Sequence, residues 1–307
     1  MRKFAMSLLT TSSLGRWTRP ILRKAYERRY WSHGMNLMSG AFHSYGEALY
    51  HAPPGRPTGW DEKGIAANLV GEKVPTRATS GGDVLPVLLH QPSTFAVLLW
   101  LNKVLQPGDR VVDVGGASGL TYWHYRNYFD LPPGVTWTVV DVPEVTARAR
   151  SLAVKAGTEN LEFSEDLATL DECDVLMSLG CVQYMSPDAY AIFLQAAQRA
   201  RTVIVNKIPL IEGPDFWTLQ CLETTFAPYR VANRARFLRE FAEIGLEVCD
   251  AWDVPELTIS IPFEPEHHVP RLNGLVFRNR SDTGANKNTR EDWQGRVTSR
   301  ATSSVSP

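Results

Sequence analysis

Residues 110–120 read RVVDVGGASGL, and the fold of the chain turns on them. Arg110 to Val114 is apolar and β-branched apart from Arg110 and Asp113, the signature of a short buried strand. Gly115, Gly116, Ala117, Ser118 and Gly119 form a loop of small residues, and a helical pattern follows from about Leu120 to Phe129. Strand, glycine loop and helix together bring main-chain N–H groups to a ligand, because missing side chains allow close approach. The dinucleotide fingerprint G-x-G-x-x-G does not fit. Counted from Gly115 it would need glycine at Ala117 and Leu120, and counted from Gly116 at Ser118 and Thr121.

The pattern D-x-G-x-G-x-G does fit, with Asp113, Gly115, Ala117 and Gly119 and one alanine for glycine. In this the stretch resembles motif I of the class I S-adenosylmethionine-dependent methyltransferases; an ordinary strand-to-helix turn is the plainer alternative. A second β-rich run, VTWTVVD from Val135, ends in Asp141. An acid at the end of the second strand of such a unit accepts both hydroxyls of a ribose. Nicotinamide enzymes share that feature, so Asp141 points to a nucleoside without choosing the cofactor.

Composition bounds the rest. The 307 residues are 44% hydrophobic and 21% charged, with a formal net charge of −1. That suits a globular α/β protein and gives no global field for nucleic acid. The four cysteines, Cys173, Cys181, Cys221 and Cys249, form no C-x-x-C or Cys/His cluster, so no metal site and no disulfide framework is expected. Buried free thiols in a reducing, cytoplasmic compartment are the simplest reading. Residues 1–31 carry eight Lys or Arg and a single acid, Glu27, interleaved with Trp17, Ile21, Leu22, Tyr26, Tyr30 and Trp31. Such an arm suits peripheral contact with an anionic membrane or a polyanionic substrate, or else it is a basic helix packed on its own domain.

The chain divides into a basic arm (1–41), a helical extension (42–106), a Rossmann-like domain (107–278) and a polar tail (279–307) expected to be disordered. In the extension, Pro53 to Gly59 forces a loop, Asp61 is placed to cap the next helix, 80–84 is a loop, and Ser93 or Thr94 opens another helix. Within the third part, helices are expected at 143–156, 187–199 and 234–244, and strands at 161–163, 174–179, 202–206, 246–252 and 272–278. Alternating strands and helices imply a doubly wound, mostly parallel sheet of seven strands, closed by an antiparallel hairpin at one edge. That is the class I methyltransferase order.

Four stretches extend the resemblance: FHSYGEAL with PTGWDEKGI, VVDVGGASGLTYWHY, DVLMSLGCVQYM and VIVNKIPLIEGPDFWTLQ. They are similar to a methyltransferase family found among bacterial cell-surface polysaccharide genes, whose acceptor is not established. The resemblance implies S-adenosyl-L-methionine as cofactor and a small-molecule or glycan-related acceptor. It places Asp113, Gly115, Gly116, Ala117 and Gly119 around the methionine end, with Asp141 on the ribose and Val142 and Asp166 near the adenine. Ser178, Gln183 and Tyr184 leave the fourth strand at the sheet's carboxyl edge, where ligands bind in open α/β sheets. Lys207, ending the fifth strand, is a candidate for an anionic acceptor, and Phe216, Trp217 and Gln220 for an acceptor wall. His124 is a candidate base and Tyr184 a further catalytic candidate. His267 and His268 are within possible reach of the same edge and have no metal partners at recognisable spacing. A nicotinamide oxidoreductase and a non-catalytic nucleoside-binding scaffold are the competing functions.

Overall fold

The computed structural model describes residues 13–71, 92–170 and 173–279; the loop expected at 80–84 lies outside the described residues, as does the tail expected at 279–307 apart from Asn279, which ends the last strand. The N-terminal part contains α1 (Ser13–His33), β1 (Met35–Phe42), α2 (Tyr45–Tyr50), α3 (Lys63–Val70) and α4 (Pro92–Val104). Next come β2 (Arg110–Val114), α5 (Leu120–Tyr128), β3 (Thr136–Val140), α6 (Pro143–Ala156), β4 (Leu161–Ser164), β5 (Val175–Leu179) and α7 (Pro187–Arg199). The remainder is β6 (Thr202–Ile208), β7 (Leu210–Ile211), β8 (Phe216–Leu222), β9 (Thr225–Asn233), α8 (Arg234–Glu243), β10 (Leu246–Val254) and β11 (Leu272–Asn279).

Seven strands form one sheet in the order β10-β11-β6-β5-β2-β3-β4. Pairs among β4, β3, β2, β5 and β6 are parallel, and β11 runs antiparallel to both β6 and β10. The fold is therefore α/β, with the expected mostly parallel sheet and closing hairpin. Between β2 and β5 the winding direction reverses, which is where open α/β sheets bind ligands.

Helix boundaries follow from local chemistry. Pro143 starts α6, and Gly157, in the left-handed region, ends it. Ser186 caps α7 by accepting from the Ala189 N–H at 3.2 Å, and Asn233 caps α8 by accepting from the Arg236 N–H at 2.8 Å. Glu62, one residue past the expected Asp61, caps α3 by accepting from the Ile65 N–H at 3.0 Å. Asp61 does related work elsewhere: its Oδ1 accepts the Glu144 N–H at 3.0 Å, in the first turn of α6, whose own cap position is Val142. α3 packs on α6 through Ala66, Val70, Val145, Ala149 and Leu152. The N-terminal extension is thus fixed beside the loop that follows β3.

One sheet face is covered by α4 and α5, whose Leu101, Tyr122 and Tyr125 are buried around Trp137. On the other face lie α7 and α8, with Phe193, Phe237 and Phe241 against Phe277; the Phe241 and Phe277 rings stack at 4.0 Å. Each such fully buried ring contributes about 1.5–3 kcal/mol.

A second sheet, β1-β8-β9-β7, lies outside the strands that the sequence pattern predicts. Strand alternation gives β8 two faces. Leu219 and Cys221 face α1, with Tyr30, whose hydroxyl donates to the Leu219 carbonyl at 2.9 Å. Gln220 and Leu222 face the inner side, toward Tyr184 and Ile65. α1 is held through Tyr26 and Tyr30, while Ile21, Arg23, Lys24, Arg28 and Arg29 are exposed. No helix among the described residues is long and apolar enough to cross a membrane.

An ion cluster ties this second sheet to α8. Arg230 of β9 donates to Asp215 at 2.7 Å and reaches Glu240 of α8 at 3.4 Å. Asp215 also accepts the Asn233 N–H at 2.7 Å. Removing Asp215 leaves a nearly buried guanidinium with only the longer contact to Glu240, so Asp215→Ala should cost about 2–3 kcal/mol in chemical denaturation. A loss below about 1 kcal/mol would show that the cluster is not a fastening.

Candidate cofactor and acceptor site

The loops after β2, β3, β5 and β6 meet at the carboxyl edge. Gly115 follows β2 with φ +75°, and a Cβ there would lie 2.4 Å from the Cys181 Cβ, so the loops after β2 and β5 are in contact. Gly119 is also left-handed, at φ +75°, and forms the cap position of α5. Ala117, at the central glycine position, adopts φ +53°, at a cost of about 1 kcal/mol. Its N–H donates to Asp141 Oδ2 at 2.9 Å, and its methyl packs against the α3–α6 cluster. The loop therefore keeps its shape despite the alanine.

Asp141 joins the glycine loop to β3, because its other oxygen accepts the Val142 N–H at 2.8 Å. Burial raises its carboxyl above the usual range, and these two hydrogen bonds oppose the rise. Val142 packs on the α3–α6 cluster. Asp166 follows β4 as an exposed turn, its Oδ1 accepting the Ala168 N–H at 2.8 Å.

Asp113 is 1% exposed, and neither of its carboxylate oxygens closes a hydrogen bond of good geometry; the Trp137 indole N–H, itself without such a bond, is the donor that interacts with it. The carboxylate is tucked under the loop: a Cβ on Gly116 would come within 2.6 Å of Oδ2, so only glycine fits there. Burial pushes this carboxyl up to about 7; the Trp137 indole opposes the rise and Asp141 adds to it. Cys181 sits among these acids, and burial drives its thiol up to about 12. Ser178 is fully buried in β5 with an unpartnered hydroxyl.

Beyond β5, Gln183 is 4% exposed and its amide donates to the Gly180 carbonyl at 2.8 Å. Tyr184 packs edge-on against Trp60 at 4.9 Å and Tyr229 at 5.0 Å. Its hydroxyl donates to Gln220 Oε1 at 2.7 Å, and the Gln220 amide in turn donates to Asn36 at 3.0 Å. Burial, first, and the nearby Cys181 hold the Tyr184 phenol well above its usual range. The second sheet and α3 therefore roof the edge. Phe216 lies inside, with its ring 4.6 Å from that of His267, whereas Trp217 packs edge-on against Tyr45 at 5.3 Å on the other side of β8. The structure does not bring these two rings to one wall.

A second cluster lies at the end of β6. Lys207 contacts the space over Gly180: a Cβ there would lie 3.7 Å from Lys207 Cδ and 3.9 Å from Gln183 Nε2. His124 of α5 is 6% exposed, and burial together with Lys207 pulls its imidazole down to about 4. Glu256 faces Lys207 and accepts from Ser93 Oγ at 2.5 Å and from its N–H at 3.3 Å. Asn206 accepts from the Trp252 indole at 3.1 Å. Glu256 carried no signal in the sequence, Ser93 was legible only as a helix opener, and Trp60 only as part of the PTGWDEKGI stretch. His267 lies beside Glu264 and Glu266, with ligand atoms within 4.8 Å of one another, on one short turn. A groove of 460 Å³ lined by Arg110, Thr136, Thr138 and Glu162 includes the first residues of β2 and β3 and is separate from these loops.

No family model matches the chain, and no curated protein matches it. Among solved structures it is similar to a magnesium protoporphyrin IX methyltransferase from Synechocystis crystallised with S-adenosylmethionine. That likeness has a TM-score of 0.47 at 17% identity, over 72% of this chain and 93% of the other. It is also similar to the 1,6-didemethyltoxoflavin-N1-methyltransferase of Burkholderia thailandensis, crystallised with S-adenosylhomocysteine. There the TM-score is 0.45 at 18% identity, over 63% and 81% of the two chains. A Streptomyces caelestis methyltransferase gives a TM-score of 0.42 at 15% identity, over 61% and 90%.

The state of Asp113 has a consequence for stability. Its folded-state carboxyl is raised above the unfolded value, so its contribution is complete below about pH 4 and is lost as pH rises toward 7. Asp113→Asn should therefore raise the melting temperature of the ligand-free protein at pH 8, by the equivalent of a few kcal/mol, and change it little at pH 4. Equal shifts at both pH values would contradict this account of the buried acid.

Proposed function

We propose that this protein is an S-adenosylmethionine-dependent methyltransferase acting on a small-molecule or glycan-related acceptor. The observation that carries the reading is the buried carboxylate of Asp113, with no cation paired to it among the described residues, directly beneath the glycine loop. An acid in that position favours a cofactor that brings a positive group to the loop and opposes one that brings a diphosphate. The residues fit such a cofactor: Gly115 and Gly119 open the main chain, Asp113 suits an ammonium, and Asp141 suits ribose hydroxyls. Val142 and Asp166 lie at the ends of β3 and β4, where an adenine would extend.

When bound, S-adenosylmethionine supplies an electrophilic methyl on a sulfonium. The protein's task is then alignment and exclusion of water. Tyr184, Trp60 and Tyr229 form an aromatic wall suited to a cationic centre and to a flat or sugar-like acceptor. The phenol of Tyr184 is engaged as a donor to Gln220, so its part is positional. His124 remains neutral down to about pH 4 and keeps a nitrogen lone pair for an acceptor proton.

Calorimetry decides between the cofactors. The protein should bind S-adenosylhomocysteine and should not bind NAD. Asp141→Ala should weaken binding by roughly 10- to 150-fold, the equivalent of about 1.5–3 kcal/mol, with melting temperature as the folding control. Clear NAD binding without S-adenosylhomocysteine binding would overturn the proposal.

A further inference from the structure

The backbone at the end of β6 is irregular in a way that redirects one side chain. Asn273 pairs with Ile208 but Leu275 pairs with Val205, so β6 carries an extra residue opposite β11. Lys207 lies inside that bulge with φ +60°, a left-handed conformation that costs a non-glycine residue about 1 kcal/mol or more. Bulges re-aim side chains, and this one brings the Lys207 stem over Gly180 and Gln183 and its charge toward His124 and Glu256.

Among the described residues no carboxylate closes an ion pair with Lys207. Glu256 is the charged group facing it: Ser93 holds its Oε1, while its buried Oε2 accepts no hydrogen bond; burial would raise the carboxyl, and the hydrogen bonds from Ser93, with a smaller pull from the Lys207 charge, keep it below the usual range. A half-buried ammonium with no carboxylate closed on it is costly, and a strained backbone that puts it there adds to the cost.

We infer that Lys207, presented by the β6 bulge between Gln183 and His124, is the recognition group for an anion carried by the acceptor, a carboxylate or a phosphate ester. The inference rests on the methyltransferase reading and adds the chemical class of the acceptor. It also links binding to proton transfer. Burial and the Lys207 charge together suppress protonation of His124. An anion on Lys207 cancels that charge and makes His124 a stronger base only when acceptor is present.

The test reads His124 directly by NMR of ring-labelled histidine at about pH 5, assigned by the signal lost in His124→Gln. The probes are sodium acetate and sodium phosphate against sodium chloride of equal ionic strength, each with and without S-adenosylhomocysteine. His124 should be neutral in chloride and should protonate on addition of an anion, its midpoint rising by about one pH unit or more. A response to acetate alone assigns a carboxylate, and a response to phosphate alone a phosphate ester. In Lys207→Gly, which the left-handed position accommodates, the midpoint should rise without any anion and should respond to neither. Lys207→Met serves as the second variant and should behave alike. A folded wild-type protein whose His124 ignores both anions would overturn the inference, as would a Lys207→Gly protein that still responds. Binding of S-adenosylhomocysteine without an anion response would reject this inference alone. An anion response in a protein that does not bind S-adenosylhomocysteine would reject the cofactor reading instead.

Discussion

The carboxylate of Asp141 is the constraint on which the edge depends. It accepts one N–H from the adjoining Val142 and one from Ala117 in the glycine loop after β2, at 2.8 and 2.9 Å. Those two bonds hold the glycine loop against β3 and keep Ala117 left-handed despite its methyl group. With the loop fixed, Gly116 closes over Asp113 and Gly115 meets Cys181, so the loops after β2, β3 and β5 become one surface. Asp61 and α3 brace the same region from outside, through the first turn of α6.

Several unfavourable features lie together on this edge. Ala117 and Lys207 have left-handed backbones, Asp113 is buried with no cation paired to it, and His124 is buried beside a cation. The core offers Trp137, Phe193, Phe241 and Phe277 in close apolar contact. Local strain and unpaired charge persist only where the surrounding structure over-determines them, and such places are disproportionately sites of binding. The roof over the edge is built differently, from a chain of side-chain hydrogen bonds running Tyr184, Gln220, Asn36.

The parallel sheet was legible because its strands are buried on both faces and read as apolar runs, as in Val111 to Val114 and Thr202 to Val205. Helix ends were legible where proline, glycine or serine marks them, as at Pro143, Gly157 and Ser186. The second sheet was not. In β8 the inner face carries Thr218 and Gln220, buried polar residues that break the alternation expected of a half-buried strand. β9 contains Pro228, which argues against a strand, and β1 contains Gly40. At the site, the glycine loop and Asp141 carried a pattern, whereas Glu256, Ser93 and Trp60 are assembled from distant segments by the fold. The bulge at Lys207 depends on pairing with β11, about seventy residues later, and nothing local announces it.

Hydrogen–deuterium exchange with S-adenosylhomocysteine tests the central claim most directly, because it locates a ligand without presupposing an acceptor. The account predicts slowed exchange in residues 115–120, 141–142 and 180–184, the loops that Asp141 and the switch point bring together. Binding that leaves those amides unchanged, or that protects the groove around Thr136 and Glu162 instead, would contradict it.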